Sequence, residues 1–225
     1  MSQRKITRGA LYLLIGELGL SLIFLLMETE VRVEMAHWLT ATSVQVWEDL
    51  KIWTLVTSSL MNNQLVSLLV HGLILWLFVP TLERWWGTKK LLLFALWTSL
   101  AGTVAGTLLG LAISDATPVV GLDAFIYSAI IAYGVLYAHG QVQFFGVLPI
   151  TGRQLMFGII AVAALFVLLG ARWVTGASYA AAMTLAYLMT SGKWTPKLWY
   201  LRWKYKRMRG KSGAVRDEDK KKWLN

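Results

Sequence analysis

The chain has 225 residues, 56% of them hydrophobic and 15% charged, with a mean hydropathy of +0.55, a balance that excludes a soluble globular domain. The absence of cysteine excludes disulfide frameworks, thiolate metal sites and cysteine nucleophiles. The formal net charge of +10 is concentrated: twelve of the 22 basic residues fall within 193–225, opposed only by Asp217, Glu218 and Asp219, so this segment alone carries +9.

A hydrocarbon core about 30 Å thick takes roughly 20 apolar residues as a helix. Six segments approach that length, at about 9–27, 63–82, 90–112, 117–138, 154–171 and 173–191. Backbone amides cannot go unpaired in lipid, so the expectation is an all-α membrane protein with six helices. The segments are separated at Glu83 to Lys90, Ser114 to Pro118, Gly140 to Gly152 and near Arg172. No small-residue cleavage site follows Leu25-Leu26-Met27, so the first segment is read as a span rather than a signal peptide. Residues 1–192 form the membrane domain and residues 193–225 a basic, aromatic tail.

Lysine and arginine orient the spans, because cytoplasmic loops retain positive charge. Arg4, Lys5 and Arg8 precede the first span, Arg84, Lys89 and Lys90 follow the second, Arg153 precedes the fifth and the tail follows the sixth. An even number of spans puts all of these on one side, so both termini are expected in the cytoplasm. The 28–52 segment, holding Glu28, Glu30, Glu34, Glu48 and Asp49 against Arg32 and Lys51, falls on the other side. Trp38, Trp47, Trp53 and Trp173 mark the outer headgroup level, and Trp85, Trp86, Trp194, Trp199 and Trp203 the inner one.

The few polar groups inside spans carry the functional question. Asp123 is costly at bilayer depth unless it finds a partner. Ser67 and His71 stand four residues apart on one helix face. Glu17 lies in Leu14-Ile15-Gly16-Glu17-Leu18-Gly19, where it either bonds to a neighbouring helix or meets a partner span across the two glycines. Gly102, Gly106 and Gly110 give the third span a small face for packing within the monomer, and Ala177, Ala180 and Ala181 are expected to let the fourth and sixth spans meet. His37 and His139 have no further ligands at metal spacing, so neither metal nor cofactor is expected.

The order of local motifs resembles the rhomboid superfamily. Trp53-Thr54-Leu55-Val56-Thr57 is similar to the family's W-R-x-x-T, and Glu83-Arg84-Trp85-Trp86-Gly87 to its E-x-x-x-G. Gly121-Leu122-Asp123-Ala124 falls where the family has G-x-S-G, and Gly176-Ala177-Ser178-Tyr179-Ala180-Ala181 where it has A-H-x-x-G. Phe145-Gly146-Val147-Leu148-Pro149-Ile150 resembles the loop before its fifth span. The resemblance runs from about residue 10 to 192 and implies a six-helix rhomboid-like bundle.

It also implies lost chemistry. Proteolytic members use a serine in the fourth span, a histidine in the sixth and an H-x-x-x-N pair in the second. Here those positions read Asp123, Ser178, and Ser67 with His71, while an earlier family histidine becomes Asn62 and the glycine after the nucleophile becomes Ala124. Asp123 has no alcohol and Ser178 cannot act as a base. The resemblance thus implies a pseudoprotease that binds or scaffolds transmembrane proteins without cleaving them, as derlins and inactive rhomboids do, with Glu17, His71 and Asp123 as candidate partner contacts. Two alternatives stand beside it: a fixed accessory subunit of a membrane complex, and a serine hydrolase whose Ser, His and Asp have exchanged positions.

In the tail, Trp199, Arg202, Trp203, Lys204, Lys206 and Arg207 interleave aromatic and basic side chains, suited to anionic lipid at the cytoplasmic face or to a cytoplasmic partner. No nucleic-acid-binding module accompanies the charge. Short loops and an N-terminus unlike a transit peptide give the expectation of a bacterial cytoplasmic membrane.

Overall fold

A computed structural model describes residues 6–144 and 148–192. The chain divides into a unit of Met1–Tyr187 and one of Leu188–Asn225. All tail residues named above, and Phe145 to Val147, lie outside the described residues.

Ten helices occur among the described residues: α1 (Arg8–Leu26), α2 (Thr29–Leu39), α3 (Ser43–Trp47), α4 (Thr54–Thr57), α5 (Leu65–Leu77), α6 (Val79–Trp86), α7 (Thr88–Ile113), α8 (Asp123–Leu136), α9 (Gly152–Gly170) and α10 (Trp173–Thr190). Each of the six apolar segments contains a helix. Three helices, α1, α7 and α9, are long and apolar enough to cross a membrane, and α4, its following turn and α5 add a fourth candidate bent by 86°. The connection before α9 pairs β1 (Gln141–Phe144) with β2 (Leu148–Thr151) as a short antiparallel hairpin beside an otherwise helical chain.

Three boundaries differ from the sequence expectation, each for a local reason. The 63–82 segment breaks at Phe78 into α5 and α6 because Pro80 lacks an amide hydrogen and its ring clashes with the preceding turn. The fourth segment becomes helical only at Asp123: Val119 first bridges to Ala41, and Gly121 turns the chain at φ +84°. The 28–52 segment, read as a plain connection, forms α2 and α3, the latter capped by Thr42, whose hydroxyl accepts from the Gln45 amide at 3.2 Å. At α9, Thr151 and Gln154 cap one another reciprocally and fix the start at Gly152.

The core gathers Leu75, Val79, Leu82, Phe94, Phe125 and Ile131 from α5 to α8, all at most 2% exposed. Burial of one such side chain is worth about 1.5–3 kcal/mol in water, but between membrane helices close packing has to supply the preference. The glycine face of α7 supplies it. A Cβ on Gly102 would lie 2.8 Å from the Ala124 Cβ and 2.9 Å from the Ser178 hydroxyl, so only hydrogen there lets α7, α8 and α10 meet. The α10 residues buried inward are Val174, Ser178, Tyr179, Ala182 and Ala186, which replaces the expected Ala177, Ala180 and Ala181 face. Gly19 on α1 faces open space and Gly16 meets only the Leu60 side chain, so neither makes a close backbone contact.

Candidate functional site

α1, α5 and α8 bring three polar side chains into line. His71 on α5 stands with Nδ1 2.6 Å from Glu17 Oε1 and Nε2 3.0 Å from Asp123 Oδ1. The expected pairing of His71 with Asp123 is present, and Glu17 joins the same chain rather than forming a separate feature. Asn62, at the bend before α5, closes the cluster: its amide nitrogen donates to Ser21 Oγ at 2.9 Å, and its side chain lies 3.5 Å from both Glu17 Oε1 and His71 Nδ1. The Leu122 amide at the head of α8 also points at Glu17 Oε1, at 3.5 Å, where the positive end of a helix dipole favours negative charge.

Burial is graded along this chain. The side chains of Glu17 and His71 are 1% and 3% exposed, whereas that of Asp123 is 32% exposed. Each of the two bonds needs one hydrogen, and a neutral imidazole supplies only one. A second proton completes the set, so two carboxylates and one ring share it and carry a net charge of −1 wherever the hydrogens reside. Among the described residues the ion pairs of Asp123 run to His71 alone.

Asp123 opens onto a cavity of about 610 Å³ that Asn62, Ser67, His71 and Ser178 also line. These are the positions at which the resemblance locates catalytic chemistry. Tyr127, Phe166, Arg172 and Tyr179 complete the wall. The rings of Tyr127 and Tyr179 lie 4.5 Å apart, and the Arg172 guanidinium stands 4.9 Å above the Phe166 ring. The Ser178 hydroxyl, in a residue 1% exposed, has no hydrogen-bond partner among the described residues. Both ring nitrogens of His71 face carboxylates rather than the hydroxyl of Ser67 or Ser178.

A second buried carboxylate has a different setting. Glu83 on α6 accepts from the amides of Gly9 at 2.8 Å and Ala10 at 3.0 Å, from the Thr88 hydroxyl at 2.6 Å and from the Thr7 hydroxyl. It thereby caps the start of α1, whose first amides have no partner within the helix. Burial pushes the Glu83 carboxyl up, but the hydrogen bonds from Thr7, Thr88, Gly9 and Ala10 outweigh it and hold the group below its ordinary value. The sequence marked Glu83 only as part of a turn motif.

On the connection between α1 and α5, Trp38 and Trp53 stack at 6.2 Å and are 50% and 49% exposed. Lys51 packs its ammonium 4.9 Å over Trp38 and 2.7 Å from His37 Nε2. Among the described residues no group of three or more metal-ligating side chains is suitably placed for an ion.

Residues 12–203 match the model of a family described as eukaryotic integral membrane protein, DUF1751. No curated protein matches the chain. The eukaryotic family overturns the expectation of a bacterial cytoplasmic membrane, which rested on short loops; tight packing of neighbouring helices demands short loops in any membrane.

Proposed function

The chain belongs to this family of eukaryotic integral membrane proteins, and on that premise we propose that it is a rhomboid-like pseudoprotease that holds transmembrane segments of other proteins without cutting them. In this reading the six apolar segments are six spans and both termini face the cytoplasm. The basic tail rests against anionic lipid.

One observation carries the reading: the positions where the resemblance expects catalytic groups converge on one cavity, yet the only imidazole there is held at both nitrogens by acids. A serine without a general base is a poor nucleophile. What remains is a polar recess beside exposed apolar side chains, Val66 and Leu69 on α5 and Val162 and Leu165 on α9. A hydrophobic helix lies against such side chains as readily as lipid does, and a polar recess then selects among helices.

The test is photo-crosslinking of the full chain in native membranes, with a photoreactive residue replacing Val70 or Phe166 at the cavity wall. Adducts with single-span membrane proteins that remain uncleaved are the expected result. Adducts with lipid alone, or cleaved partners, would overturn the reading.

A further inference from the structure

The cavity lining combines a carboxylate with aromatic rings. Asp123 presents a carboxylate that is one-third exposed, at 32%, and belongs to a buried chain of net charge −1. The Ser178 hydroxyl is turned away from this opening: its oxygen is buried against Gly102 of α7. Tyr127 and Tyr179 offer aromatic surface in the same wall. Among the described residues the one cationic side chain lining the recess, Arg172, lies over Phe166 and forms no ion pair with Asp123. A part-exposed carboxylate and electron-rich rings together suit an ammonium or guanidinium group.

We propose that the recess selects transmembrane segments bearing a lysine or arginine, whose cation pairs with Asp123. This rests on the scaffold reading and names the class of partner. A cation in the bilayer is expensive for a lone helix; docking at Asp123 relieves that cost and at the same time neutralises the charge of the Glu17–His71–Asp123 chain. The scaffold reading makes the occupant a protein segment, which exposed apolar side chains on two helices flank, Val66 and Val70 on α5 and Phe166 and Val162 on α9; an amine-bearing lipid is an outcome that the test separates. A bare leucine segment gains nothing from the recess, and an acidic one is repelled.

The experiment reconstitutes the full chain, with the photoreactive residue at Val70, into phosphatidylcholine vesicles. Leucine-rich single-span probes carry Leu, Gln, Lys or Glu one to two turns from one end. The Lys probe is expected to crosslink about tenfold more than the Leu probe, the ratio that corresponds to about 1.4 kcal/mol, and the Glu probe less than Leu. Asp123→Asn brings the ratio of Lys to Leu crosslinking down to about one, and Asp123→Glu keeps it raised. The Glu probe tests the same charge on the unaltered protein, should Asp123→Asn fail to fold.

Equal crosslinking of the Leu, Gln and Lys probes overturns the cation inference and leaves the scaffold reading standing. No crosslink to any probe overturns both. A Lys preference that persists in Asp123→Asn, or that ethanolamine phospholipid abolishes by occupying the recess, also overturns the inference.

Discussion

Glu83 and the Glu17–His71–Asp123 chain are both buried acidic sites, but they solve the problem of burial in opposite ways. Glu83 is surrounded by donors fixed by the backbone or by neighbouring threonines, and both of its oxygens are engaged. Glu17 is engaged through one oxygen, its Oε2 having no partner among the described residues, and the chain it begins ends on a carboxylate facing a cavity. A fully satisfied acid holds helices together; a partly satisfied one keeps the capacity to take up a ligand.

The largest effect is expected at Glu83. Glu83→Leu leaves the first amides of α1 and two hydroxyls without their acceptor, a loss of about 3 kcal/mol, read as lowered thermal stability of the purified protein in mild detergent. A variant that melts like the unaltered protein would erase the contrast between the sites. Glu17→Leu is expected to cost about 2 kcal/mol because it strands one nitrogen of His71. The triple variant Glu17→Leu, His71→Phe, Asp123→Ala recovers part of that loss, since the imidazole and both carboxylates leave together and only the 3.5 Å contacts of the Asn62 side chain and the Leu122 amide are given up. Rescue by removing partners is closed to Glu83, which backbone amides approach at 2.8 and 3.0 Å.

Asp123→Asn is expected to cost about 1 kcal/mol or less, because the amide keeps an acceptor toward His71 and the site is open to water. The same melting series ranks it after Glu17→Leu; the reverse order would mean that the cavity-facing end, not the buried end, holds the helices. The mildest effect is one of pH. The Glu83 carboxyl lies below its ordinary value, so its contribution is complete above about pH 4.3, the unfolded value, and disappears as pH falls through the folded value. The stability difference between the unaltered protein and Glu83→Gln should therefore be constant from pH 7 to 5 and close only in stronger acid. A gap that closed already between pH 7 and 5 would show that another group controls it.

The sequence revealed different layers of this arrangement unequally. Runs of apolar residues located the three helices long and apolar enough to cross a membrane, α1, α7 and α9, because lipid admits few alternatives to a helix. The pairing of Asp123 with His71 followed from the need of a buried acid for a partner. Membership of Glu17 in the same chain was not legible: helical periodicity gives the face on which a residue lies, not the helix opposite, and Glu17 and His71 stand 54 positions apart. Pro80 carried a readable signal for the break between α5 and α6, but the continuous apolar run masked it. Thr42, three residues before Gln45, likewise carried the capping signal of α3. The role of Glu83 depends on the N-terminus of α1 arriving from 74 residues away, which no local pattern encodes.

The spacing of these contacts along the chain has a consequence for synthesis. Helix α1 is made first, yet its acid meets His71 only 54 residues later, and His71 meets Asp123 another 52 residues on. At roughly 5–20 residues per second, the nascent first helix carries an unpaired glutamate for several seconds. Helix α1 thus precedes both of its partners in synthesis, and its polar chain is complete only once α8 has been made.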